Sequence, residues 1–308
     1  MKSSWKINQV LTGAAKRFIV MSPYAGMRIA PLLYVAVQAA QYGVFDPAND
    51  LNIPKLTPRA PSTAAKRGFM KISNDMFGTK EYEFEMPIDD RIKAIYDSVL
   101  DADTAASNTA AHIIMFNHEV RVKTLIDGAG IANANVGTKW NAANSDPIAD
   151  ADAIRETIRL GCGVKPNMVT CSEPVFNVLK SHPKILERIK YTQNAINVSP
   201  SLVAQALGVD VLNIAGAIQN VAAEGQALQP TDLWGDSVYF SVTNAGQDLM
   251  ALNLVRTFMW TGNNNGRNPA LVKSYYDDIT ESLVHKAKHD TDERLICAAA
   301  GYRLTDVL

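Results

Sequence analysis

The sequence predicts an α+β protein: an arm and a long exposed loop, one long helix, a compact α/β unit, and a tail of strands. Three observations carry this prediction. Apolar residues between Ile88 and Val120 recur at steps of three or four, the spacing of one helix face. From Trp140 to Trp260, capped helical patterns alternate with apolar runs of strand length. Tyr82, Phe84 and Met86 alternate with Glu81, Glu83 and Glu85, the spacing of a strand with one buried face.

Taken in order, residues 1–45 show no sustained period and contain Pro23, Gly26 and Pro31, so they read as an arm with one short helix. Residues 46–80 hold Pro47, Pro54, Pro58 and Pro61, with Lys55, Arg59, Lys66 and Arg67 between them. Proline fixes φ and removes a ladder donor, so this stretch is an exposed loop. No Pro or Gly interrupts residues 88–126, which predicts a single helix about 55–60 Å long. His112 and His118 on it are expected to face solvent or a neighbour. Asp146 caps the next helix with Pro147 in its first turn. Ile148, Ala151, Ile154 and Ile158 form the inner face of that helix, and Gly161 or Gly163 stops it. Residues 167–170 read as a buried strand, and Ser172 as the cap of a helix that Pro183 ends or bends. Ser199-Pro200 starts a helix that finishes at Gly208. Residues 209–215, 237–242 and 249–260 read as strands. The tail from Leu271 holds two more, separated by a charged turn around Asp290.

The 308 residues suffice for one large domain or two ordinary ones. The net charge of −1 says little, but its distribution is uneven. Residues 1–73 carry ten Lys/Arg against two Asp, and residues 74–103 carry nine acids against three bases. Neighbouring segments of opposite charge suit contacts between molecules, and a basic arm suits phosphates. Three cysteines, Cys162, Cys171 and Cys297, lack CxxC spacing, which argues against a disulfide framework or a zinc site. Lys16-Arg17 before Phe18 mimics a leader faintly, but Pro23, Arg28 and Pro31 interrupt the apolar run. The longest apolar stretch, residues 29–37, falls far short of the ~20 needed to cross a bilayer.

Candidate chemistry is sparse. Gly128-Ala129-Gly130-Ile131-Ala132-Asn133 is a truncated dinucleotide fingerprint that lacks its third Gly, its preceding strand and its following helix. His285 and His289 lie on one face of a predicted strand, about 13 Å apart by the strand rise and too far to share an ion. A solvated face is expected for them instead. Asp89-Asp90 and Asp277-Asp278 are adjacent carboxylates, and adjacent side chains diverge. No Ser occupies a G-x-S-x-G elbow. Neither catalytic residues, nor a cofactor, nor a metal is expected.

The ordered series from Trp140 onward resembles a known family. It comprises Lys139-Trp140-Asn141, Ser145-Asp146-Pro147-Ile148-Ala149-Asp150, and Gly161-Cys162-Gly163-Val164-Lys165-Pro166-Asn167. There follow Pro174-Val175-Phe176-Asn177-Val178-Leu179-Lys180-Ser181-His182-Pro183, Leu207-Gly208-Val209-Asp210-Val211 and Leu233-Trp234-Gly235-Asp236. This order resembles the middle of the major capsid (coat) protein of tailed bacteriophages, which has the Hong Kong 97-type fold. The resemblance implies an N-terminal arm at 1–40, an E-loop hairpin at 41–86, and a P-domain at 87–145 with a spine helix at 87–126. It further implies an A-domain at 146–252 and a return to the P-domain sheet at 253–308. The implied function is self-assembly, as hexamers and pentamers, into an icosahedral head enclosing double-stranded DNA in the virion, with synthesis in the host cytoplasm. Implied partners are copies of the chain itself, portal and decoration proteins, a separate scaffold if any, and DNA contacted without sequence preference; no membrane is implied. The E-loop bases Lys55, Arg59, Lys66 and Arg67 would lie over an acidic patch of a neighbouring subunit. Two alternatives stand beside this: an encapsulin-type nanocompartment shell and, from a different class, an α/β metabolic enzyme.

Overall fold

The computed structural model describes residues 6–7, 24–47, 51–53, 55–56, 58–59, 61–65, 67, 73–96, 101–128, 130–190, 198–262 and 267–308. Two sheets carry the fold. The first is ordered β1 (Lys6–Ile7), β13 (Leu271–Asp277), β14 (Ser282–Leu295), β12 (Val255–Trp260), β2 (Leu32–Val35), with β5 (Lys80–Asp89) also paired to β14. The second is ordered β6 (Ala132–Asn135), β15 (Gly301–Thr305), β11 (Val238–Ser241), β7 (Met168–Ser172), β8 (Val211–Ala215). Two ribbons stand apart: β3 (Ala39–Val44) with β4 (Ser73–Gly78), and β9 (Ile218–Asn220) with β10 (Pro230–Asp232).

Strand β14 is the axis of the first sheet. Its first part pairs with β13 on one side and β5 on the other, and β12 takes over from β13 at Thr291. The charged turn expected around Asp290 is not there. Asp290 is buried within the strand, and the chain turns instead at residues 278–281, where Glu281 adopts a positive φ of 47°. The charges of β14 tolerate a strand because β5 answers them. Lys288 Nζ lies 2.6 Å from Glu81, and Lys286 pairs with Glu83 and, at 3.5 Å, with Glu85. The glutamates of β5 are thus engaged within the subunit.

The single helix expected over residues 88–126 is two. The β5–β14 ladder continues through Ile88 and Asp89, so α2 starts only at Asp90 and runs Asp90–Tyr96. A second helix, α3, spans Ala102–Gly128, about 40 Å by the helical rise. Asp101 begins it, accepting from the backbone N–H of Thr104 at 3.2 Å. The buried stripe also differs from the expected one. Ala110, Ala111, Ile114, Met115, His118, Glu119 and Val122 face inward, whereas Asn117 is exposed. His118 is therefore a core residue, while His112 remains exposed and contacts the Tyr24 hydroxyl.

The α/β unit follows its local signals. In α4 (Pro147–Cys162), Asp146 Oδ1 accepts from Ala149 N at 3.2 Å and Gly163 closes the helix at φ 79°. Ser172 begins α5 (Glu173–Ser181) without a side-chain cap, because its hydroxyl donates to Gly235 O at 2.6 Å. His182 separates α5 from α6 (Pro183–Ile189), and Gly208 ends α7 (Pro200–Leu207) at φ 71°. Strand β12 starts at Val255, six residues later than expected. Before it, Asn244, Asp248 and Asn253 bond to nearby backbone and so compete with a ladder. The tail divides between the sheets: β13 and β14 enter the first, and β15 inserts between β6 and β11 of the second.

Two buried polar contacts position α3. Glu119 has no accessible surface, and neutral N–H donors hold its carboxylate. Its Oε1 accepts from Ala25 N at 2.9 Å and Trp234 Nε1 at 2.6 Å, and its Oε2 accepts from Gly26 N at 2.5 Å. Burial raises its pKa, against the pull of those three donors. Gly26 opens the short helix α1 (Gly26–Ile29), and a Cβ there would stand 2.5 Å from Glu119 Oε2, so only glycine admits the carboxylate. On the other side, Arg121 forks onto Glu293 with two bonds of 3.1 Å and donates to His289 Nε2 at 3.1 Å. Thr257 donates its hydroxyl proton to Ala30 O, so its Oγ1 accepts from His118 Nε2 at 3.1 Å. His118 Nδ1 has no partner.

Replacing Glu119 by Gln sets an amide NH2 against backbone N–H donors. Urea unfolding of the subunit should show a loss of about 1–3 kcal/mol, and unchanged stability would refute the role given to this carboxylate. Burial pushes His118 down to about 4 from 6.5, with Glu293 opposing and Arg121 assisting, and His289 is pushed well below its ordinary value for the same first reason. The unfolded chain therefore binds protons that the fold refuses, and stability falls as the pH drops from 6.5 towards about 4. Burial raises Glu293, but His118, Arg121 and Thr291 outweigh it, so its net shift is downward and its contribution is lost as the pH falls below 4.5. For His118 the loss is on the order of 3 kcal/mol. Denaturation midpoints measured across that window should decline, and His118→Gln should flatten the decline.

Candidate assembly surface

The β3–β4 ribbon pairs antiparallel from Ala39 opposite Gly78 to Val44 opposite Ser73. Its base is locked to the first sheet. Phe77 stacks on Phe258 with centroids 4.3 Å apart and planes within 4°, in a cluster with Leu33, Val35, Tyr42 and Ile296. Tyr42 Oη donates to Asp75 Oδ2 at 3.0 Å and reaches Leu295 O at 3.3 Å. Gly78 N donates to Asp292 Oδ2 at 2.8 Å. The N–H of Met76 and the Tyr42 hydroxyl hold the Asp75 carboxyl below its ordinary pKa, while burial raises that of Tyr42.

Beyond this base the described residues are exposed. Lys55, Arg59 and Arg67 all lie at the surface, and Lys66 lies outside the described residues. Ile53 and Leu56 beside them are 85% and 80% exposed. The structure places Lys55, Arg59 and Arg67 in one exposed stretch. The acidic segment upstream of α3 is partly spent on Lys286, Lys288 and, through Asp103, Lys93.

Other sequence candidates take different roles. Gly128 ends a helix and strand β6 follows, the reverse of the order a dinucleotide loop needs. His285 and His289 do share a strand, but both are buried, not solvated. His285 lies 2.9 Å from Ser274 Oγ and 3.1 Å from Asp103 Oδ1. Among the described residues no group of three His, Cys, Asp or Glu is placed to hold a metal ion. The three cysteines are buried and form no disulfide, and burial pushes the Cys171 thiol up to about 12.

One pair was not anticipated: Ser145 Oγ and His182 Nε2 are 2.9 Å apart in the interior. His182 Nδ1 accepts from Lys184 N, so its proton sits on Nε2 and is directed at Ser145, whose hydroxyl donates to Ala142 O at 2.6 Å. That tautomer cannot take a proton from the serine. The pair is a structural tie between the loop before α4 and the α5–α6 corner.

Residues 127–276, just under half of the chain, match the family model described as phage major capsid protein E. Over 182 residues the chain is 28% identical to the major capsid protein of Burkholderia phage BcepMu, a match that spans 54% of this chain and only about half, 55%, of that protein. In three dimensions it is similar to a phage-related protein from Bordetella bronchiseptica, with a TM-score of 0.73 and 20% identity, covering 99% of this chain and 98% of the other. It is also similar to the capsid protein of cyanophage P-SCSP1u, with a TM-score of 0.55 and 9% identity, covering 90% and 86%. The chain thus has the Hong Kong 97-type capsid fold, and across residues 127–276 it carries the pattern of phage major capsid protein E.

Proposed function

We propose that this chain is the major capsid protein of a tailed phage, assembling as hexamers and pentamers into the icosahedral head around double-stranded DNA. The observation that carries the reading is the family match over residues 127–276, which spans strands from both sheets and not one isolated motif. The Burkholderia phage relative favours a phage head over an encapsulin-type compartment, which shares the fold. In this reading the role is structural, and among the described residues the Ser145–His182 pair is a buried tie and the three thiols are buried. No helix among the described residues is long and apolar enough to cross a membrane. The protein is made in the host cytoplasm and ends in the virion, with portal, scaffold and decoration proteins as further partners and DNA screened by basic groups without sequence preference.

In this reading Lys55, Arg59, Lys66 and Arg67 lie on a neighbouring subunit. Exposed ion pairs contribute only ~0–1 kcal/mol each, but closed symmetry repeats them. The purified chain should form megadalton shells by light scattering and electron microscopy; small soluble oligomers under every condition would reject the shell. Arg59→Glu, Lys66→Glu and Arg67→Glu together should leave folded subunits that make no shells. Normal particles from that variant would remove the loop from the interface.

A further inference from the structure

The longest apolar run of the chain, residues 29–37, ends in Leu32-Leu33-Tyr34-Val35-Ala36-Val37, with no charge and no proline. Among the described residues its strand, β2, is the last of the first sheet and pairs only with β12. Thr257 N donates to Pro31 O at 3.2 Å and Thr261 N to Val35 O at 2.9 Å, so the odd-numbered residues turn their peptide groups towards β12. Leu32 and Tyr34 therefore turn theirs outward. A short, uncharged, apolar edge is a template on which another strand can add, and such edges are ordinarily blunted by charge, proline or a bulge. β2 has no charge and no proline, and its register with β12 is continuous.

The edge is met instead by one side chain. Gln247 Oε1 accepts from Tyr34 N at 3.0 Å, and Gln247 Nε2 donates to Leu32 O at 2.9 Å. In a parallel ladder a residue donates to the residue before its partner and accepts from the residue after it. The Gln247 amide thus makes the two bonds that a residue opposite Leu33 would make on a further parallel strand. The loop that carries it is braced. Asn244 N donates to Asn253 Oδ1 at 2.5 Å, and Gly246 N to Asn244 Oδ1 at 2.8 Å. Arg256, buried on β12 beside β2, donates from Nη2 to Asn244 O at 3.1 Å, which ties the loop to the edge that its glutamine covers.

We infer that Gln247 plugs the free edge of the first sheet, and that what it turns away is the same edge of a second copy of this chain. Identical strands related by a two-fold axis pair antiparallel, and Leu32 and Tyr34 each present one N–H and one C=O for that pairing. The pairing would fuse two sheets into one; the plug forestalls it and leaves side-chain surfaces free for ordered contacts.

The inference is independent of the shell reading, because it is read on the subunit itself. Gln247 is exposed, so its replacement leaves the core intact. In Gln247→Ala the Tyr34 amide should exchange with deuterium about tenfold faster or more, and the share of chain sedimenting as irregular aggregates should rise severalfold. Gln247→Glu keeps an acceptor for Tyr34 N and sets a charge on the edge, so its aggregates should stay at the level of the unaltered chain. Adding Tyr34→Pro to Gln247→Ala removes the outward donor without touching the β12 ladder, and should return aggregation to that level. A glutamine that merely braced its own loop would not separate the Ala and Glu variants. Unchanged Tyr34 exchange in Gln247→Ala, faster exchange without added aggregates, or equal aggregation of the Ala and Glu variants each overturns the plug. Aggregation that persists in the folded proline variant overturns the pairing through β2.

Discussion

One turn of helix α3, residues 118–121, joins the two sheets. Its His118 and Arg121 reach β12 and β14 of the first sheet, and its Glu119 reaches the Trp234 turn that leads into β11 of the second. Each contact is buried and each costs desolvation, so none is a cheap source of stability. What the turn supplies is register. A helix packed only through alanines could slide or rotate, because Ala106, Ala110 and Ala111 present nearly featureless surface. A carboxylate seated on the N–H groups of Ala25 and Gly26 can occupy one position only. The placement of the arm's exit, the long helix and both sheets follows from that.

Much of this was legible in the residues, and the failures have physical causes. Local signals read well where a single side chain decides the backbone: Asp146 with Pro147, Gly163, and Gly208. The hidden features depend on neighbours distant in sequence. Ile88 fits a helical period, but a ladder with Leu283 claims it for a strand. Asp290 resembles a turn until β5 is laid beside β14 and answers its charges. His118 lies three residues after Met115 and four after Ile114, so the apolar spacing did mark it as inward; its polar side chain masked the signal. Glu119 had no such mark, since nothing local shows that three donors converge on it.

In the stretch after β3, residue type alone marked exposed bases, because proline spacing and charge need no tertiary context. Surface acids were harder to read. The most conspicuous acids, the alternating glutamates of β5, are answered internally, and the exposed ones come from two segments separated by nearly two hundred residues in the chain. Charge counted along a sequence overstates what is available at a surface, because a sheet brings opposite charges together across strands.

The division of the tail between the two sheets has a consequence for synthesis. Strand β14 is the axis of one sheet, and β15 fills the gap between β6 and β11 in the other. The first sheet cannot close until residue 295, nor the second until residue 305, has left the ribosome, although everything needed for the long helix has emerged much earlier. A nascent or prematurely terminated chain therefore lacks the centre of both sheets at once. Closure of both sheets thus waits on strands far along the chain, a form of timing written into topology.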